Sequence, residues 1–98
     1  LSGLREPLAL VAEQLPPYTP LGKLSETAGR PVTVAGVRLP GWTGGKGFYL
    51  WDGETWVIAR TGKGQRSPQP WAPLVLRGQW MVDRWGMAWL QVGAMHLV

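Results

Sequence analysis

The chain has 98 residues, with ten Lys and Arg against six Asp and Glu (formal net charge +4), seven Trp and no Cys. This length has room for one domain, burying roughly 60 to 65% of its unfolded surface, and the missing cysteine excludes disulfides and thiolate metal sites. No signal pattern or membrane-length apolar run is present, so a cytoplasmic chain without membrane contact is the default expectation; a start at Leu1 rather than Met points to a processed protein or a module of a longer polypeptide.

Leu1 to Gln14 holds the longest helical pattern. Pro7 suits a first helical turn, and Leu8, Val11, Ala12 and Leu15 recur at helical spacing until Pro16-Pro17 ends it. Tyr18 to Gly29 reads as a connector with one short helical turn at Leu24 to Ala28, stopped by Gly29. Residues 1–28 are thus expected to be an N-terminal helix and connector, and residues 29–98 a β domain.

In that β domain, Pro31 to Leu39 alternates Val32 and Val34 with Thr33 and Ala35 before Gly36, which predicts a first strand with a sharp bend. A loop, Pro40 to Gly45, leads into Lys46 to Arg60, which reads as two strands around Asp52-Gly53, a strong hairpin signal. Arg60 should not be buried unpaired, so Trp56, Ile58 and Arg60 are expected to face outward and Val57 and Ala59 inward. Continuity of the face places Tyr49 and Trp51 outward beside them.

Thr61 to Pro73, with two Gly and three Pro, reads as a loop rather than a helix. Leu74 to Val82 is a fourth strand interrupted by Gly78, Asp83 to Gly86 a turn, and Met87 to Val98 a fifth strand that can bend at Gly93. Five short strands with internal glycines predict a small closed or partly closed barrel. A barrel of this size cannot enclose seven indoles. Trp42, Trp51, Trp56 and Trp85 are expected to be exposed, and Trp71, Trp80 and Trp89 to be mainly structural.

The charge is unevenly spread. Thr27 to Trp51 holds Arg30, Arg38 and Lys46 with no acid, and Thr55 to Val82 holds Arg60, Lys63, Arg66 and Arg77 with no acid. A basic surface with interleaved aromatics suits nucleic acid or another polyanion, the plain alternative being a solvated positive face. Catalytic patterns are missing. Gly44-Gly45-Lys46-Gly47 lacks the spacing and the hydroxyl of a phosphate loop and precedes a strand. His96 is the single histidine, so no His cluster for a metal is expected. Asp52 and Glu54 flank a turn where Asp serves the backbone, and no serine sits in a nucleophile elbow. These absences favour a binding module without catalytic residues or cofactors.

With the strands placed, Gly29 to Val98 resembles an OB-fold of the kind found near the C-terminal end of bacterial DNA polymerase III alpha subunits, replicative or error-prone. The resemblance is carried by Arg30 to Val37, Lys46-Gly47-Phe48, Leu50-Trp51-Asp52 with Glu54-Thr55, and Leu74 to Gly78. The opening Leu1-Ser2-Gly3 with Pro7-Leu8-Ala9-Leu10 looks like the connector that precedes the module in those polymerases. The resemblance implies an all-β, five-stranded Greek-key barrel that binds single-stranded DNA across its second and third strands and the loops after its first and fourth. The face would hold Tyr49, Trp51, Trp56, Ile58 and Arg60, and the loops would add Trp42 and Lys46, and Arg84 and Trp85. Two departures stand out: the Pro-rich Gly62 to Pro73 where the family often has a helix, and Ile58 where it commonly has a polar residue. Single-stranded DNA is the expected partner, with RNA an alternative and a polymerase or other replication protein a further one. A protein-interaction module using the same aromatic face is the competing class.

Overall fold

The computed structural model describes residues 18–27, 29–41, 47–62 and 64–98. The expected N-terminal helix, Trp42, Lys46 and Lys63 lie outside these residues. A 3₁₀ helix, Leu21–Thr27, is followed by strands β1 (Pro31–Leu39), β2 (Gly47–Trp51), β3 (Trp56–Arg60), β4 (Pro73–Val82) and β5 (Ala88–Leu97). The strands close a barrel in the order β1-β2-β3-β5-β4, with β3 and β5 parallel and every other pair antiparallel. The expected five-stranded OB-like, all-β architecture is what forms.

Alternation along the strands builds the core. Phe48 and Leu50 of β2, Val57 and Ala59 of β3, Leu74 and Leu76 of β4, and Leu90 and Val92 of β5 all point inward and are buried. β1 contributes Val32 and Val34, after which its parity slips at Gly36-Val37. There the strand passes from one neighbour to the other, Val37 pairing with both Pro73 of β4 and Trp51 of β2. A Cβ on Gly36 would lie 2.8 Å from the Trp51 carbonyl oxygen, so the handover requires a residue without a side chain.

The barrel is sealed at the end where the β2–β3 turn lies. The 3₁₀ helix buries Leu21 and Leu24 in the same core, and the Leu21 amide donates to Asp52 Oδ2 at 3.4 Å. This helix starts earlier than the expected turn at Leu24 to Ala28 because Leu21 as well as Leu24 has apolar surface to bury. The described residues between β3 and β4 contain no helix, so the N-terminal segment does the sealing. In the β2–β3 turn, Asp52 Oδ1 accepts the amides of Glu54 and Thr55 at 2.9 and 2.8 Å. Asp83 Oδ1 does the same in the β4–β5 turn, accepting from Trp85 and Met87 at 2.9 Å each. Both aspartates therefore act as backbone acceptors.

β5 carries a bulge. Its pairing with β4 steps from Arg77↔Ala94 to Gly78↔Val92, leaving Gly93 unpaired. Opposite it, a Cβ on Gly78 would collide with the Gln91 carbonyl oxygen. Gly78→Ala should therefore cost about 1 to 3 kcal/mol, as overpacking does, read as a lowered urea midpoint with unchanged m-value.

Trp71 is the one described non-glycine residue with a left-handed backbone, at φ 67°. Two hydrogen bonds hold it there, its amide donating to the Arg38 carbonyl at 2.7 Å while the Arg38 amide donates to the Ala72 carbonyl at 3.0 Å. An L side chain in this region costs about 1 to 2 kcal/mol. Trp71→Gly should therefore be more stable than Trp71→Ala by about 1 kcal/mol, the reverse of the usual order in regular strands and helices. Thermal unfolding of the two variants side by side checks it. Its indole is 38% exposed, so the expected structural role for Trp71 is corrected: the strand-like backbone links pin its main chain and leave much of the ring in solvent.

Candidate nucleic-acid interface

The inward set on β2 and β3 leaves Tyr49, Trp51, Trp56, Ile58 and Arg60 on the outer face, as the parity of Arg60 predicted. Register brings them together: Trp51 pairs with Trp56, and Tyr49 with Ile58. Trp56 is 57% exposed, and it forms a T-shaped pair with the Tyr49 ring at 5.3 Å between centroids and 85° between planes. The T-shaped contact holds the indole while more than half of Trp56 stays in solvent, which leaves surface for stacking. Leu39, Tyr49 and Trp56 line a cavity of about 240 Å³ beside it. Trp51 and Ile58 are half-buried rather than fully exposed, because cross-strand neighbours cover part of each.

The face continues past β3 onto β5. Arg60 Cζ lies 4.4 Å from the centroid of the Trp89 ring, a cation–π contact. Trp89 Nε1 donates to Gln91 Oε1 at 3.2 Å, and Gln91 Nε2 donates to the Arg60 carbonyl at 3.4 Å. These bonds tie β5 to the end of β3, where the exposed Arg60 sits over the Trp89 indole. Trp89 is thus half-buried under an arginine on the outer face, where it packs and hydrogen-bonds instead of joining the core. Trp80 does pack against the core. The signal that would have found Trp89 is parity: Leu90 and Val92 are the inward pair of β5, which forces Trp89 and Gln91 out.

At the far end of the face, the β4–β5 turn presents Trp85, 74% exposed, with Arg84 Cζ 4.3 Å from its ring centroid. Val82 and Met87 beside it are also exposed. The structure thus gathers Tyr49, Trp51, Trp56, Ile58 and Arg60 on one face and places Arg84 and Trp85 in the turn at one end of the barrel; Trp42 and Lys46 fall outside the described residues.

The strands of this face carry no carboxylate. Among the described residues the ion pair found is Lys23 with Glu26, at 3.9 Å and exposed, so Arg60, Arg77 and Arg84 have no acidic partner there. Also among the described residues, no group of three or more His, Cys, Asp or Glu could hold a metal ion, and no helix is long and apolar enough to cross a membrane.

Barrel order, the bent first strand and the uncovered β2–β3 face define an OB-like barrel. Consistent with this, the chain is similar to the solved structure of an OBody, AM3L09, bound to hen egg-white lysozyme, with a TM-score of 0.63 over 86% of this chain and 97% of that one. Sequence identity is 16%, so the likeness is one of fold. No protein-family model and no curated protein matches the chain.

Proposed function

We propose that this chain binds single-stranded nucleic acid, DNA in the first instance, as a non-catalytic module. The observation that carries the reading is Trp56: a majority-exposed indole at the turn end of a sheet face, in ring contact with Tyr49, on a strand that ends in Arg60 and with no carboxylate on the strands around it. A solvated positive face has no use for a majority-exposed indole. Bases would stack on Trp56, and on Trp51 or Tyr49 beside it, at about 1 to 3 kcal/mol each. Arg60, Lys46 and Arg84 would take phosphates, and the Arg60 guanidinium plane over Trp89 offers a further stacking surface. No residue here is placed to read base edges by paired hydrogen bonds, so sequence preference should be slight. RNA would compete wherever stacking dominates, since every base has a π-face.

Placement in a DNA polymerase III alpha subunit, where such a module would hold template near the polymerase, rests on the sequence resemblance alone. The competing reading is protein docking. It is favoured by the apolar turn of Val82, Trp85 and Met87, and by the OBody being a barrel of this shape bound to a protein. Fluorescence anisotropy with labelled oligo-dT, oligo-U and a matching duplex tests the proposal. Tighter binding of the single strands than of the duplex is expected; equal binding of all three would leave only non-specific charge attraction.

A further inference from the structure

The proposed face ends at β3 only in projection, because the register continues it around the barrel. Arg60 of β3 pairs with Gln91 of β5, Gln91 with Gln79 of β4, and Gln79 with Pro31 of β1. One row of outward residues therefore runs from the stacking face to the opposite wall. Along it, Gln91 is hydrogen-bonded to both Trp89 and Arg60, and Gln79 is exposed. The row then opens into a groove of about 340 Å³ at the β5 bulge.

The groove lies where the bulge leaves one outward position of β5 without a side chain. Gly93 is the unpaired, exposed bulge residue, while Gly78 is buried and pairs with inward Val92, so the bare position is Gly93 and the side chains of Arg77, Gln79 and Gln91 line the groove around it. Gln65 of the loop after β3 anchors its edge, Nε2 donating to the Gly93 carbonyl at 3.0 Å. Arg77 lines the groove, exposed and without an acidic partner among the described residues. No acid occurs from Thr55 to Val82 or from Arg84 to the end of the chain at Val98, so the whole row is uncharged or cationic.

Resting on the reading above, we propose that single-stranded nucleic acid leaves the stacking face across Arg60, Trp89 and Gln91 and enters the bulge groove, where Arg77 holds a phosphate. The missing side chain at Gly93 lets the strand lie close to the sheet at that point, and the two glutamines supply donors and acceptors that suit any base. From β3 to β4 the path crosses two strand spacings of about 4.8 Å each. At a stacked rise of about 3.4 Å per nucleotide, this adds up to about three nucleotides to the site.

The test compares Arg77→Ala with wild type on two oligo-dT lengths, about four nucleotides and about ten, within the range an OB barrel covers. The variant is expected to bind the longer oligomer about three- to tenfold more weakly and to bind the shorter one as wild type does. Its salt slope for the longer oligomer should be shallower by about 0.7, the share of one phosphate. Equal loss on both lengths, no loss on either, or a change in oligomeric state at unchanged affinity overturns the proposal. If wild type binds neither oligomer, the stacking reading fails as well; Trp56→Ala separates the cases, because it should weaken both lengths wherever that reading holds.

Discussion

Trp56→Ala is expected to weaken binding of oligo-dT by about 5- to 150-fold, equivalent to about 1 to 3 kcal/mol for one lost stack, while the barrel stays folded. The reasoning is geometric. Trp56 is 57% exposed, forms a T-shaped pair with Tyr49, and neither residue is part of the core. The stability cost should accordingly be about 1 kcal/mol, the scale of one aromatic pair. Trp56→Phe keeps a stacking face and should recover most of the affinity. Anisotropy titration beside thermal unfolding reads both effects, and unchanged affinity in Trp56→Ala would remove the residue from the site.

Phe48→Ala is expected to have the opposite profile, with a loss of stability of about 3 to 5 kcal/mol. Phe48 is fully buried, is the largest side chain at that depth, and faces the core from β2 beside Ala59. Small domains have total stabilities of about 5 to 15 kcal/mol, so this one change removes a large share. The melting temperature should drop by roughly 4 to 8 °C per kcal/mol. A loss under about 1 kcal/mol, measured by urea unfolding, would mean that the β2 register is off by one residue and that the outward set is not Tyr49 and Trp51.

The β2–β3 face was readable because one charged residue, Arg60, resolved the parity of a strand whose apolar residues did not. Asp52-Gly53 supplied the turn, and Gly36 marked the bend that lets β1 serve two neighbours. What could not be read was longer in range. Trp89 comes to Arg60 through parallel pairing of β3 and β5, which are separated by the whole of the Pro-rich loop and β4, and no local pattern announces it. Trp71 was expected to be mainly structural; its left-handed backbone goes with hydrogen bonds between residues 71–72 and Arg38 of the neighbouring strand β1, a pairing that local sequence does not announce. Gly93 was legible as a bend, but the groove gathers Arg77, Gln79 and Gln91 around it only through the shifted β4–β5 register, which no local pattern announces.

Salt dependence of oligo-dT binding tests the central claim most directly. A strand held by about four cations, Lys46, Arg60, Arg77 and Arg84, should give a log–log slope near −3, and Arg60→Ala should make it shallower by about 0.7. A flat dependence, or no binding by the folded chain at low salt, would contradict a nucleic-acid role and leave the aromatic face as a docking surface for protein.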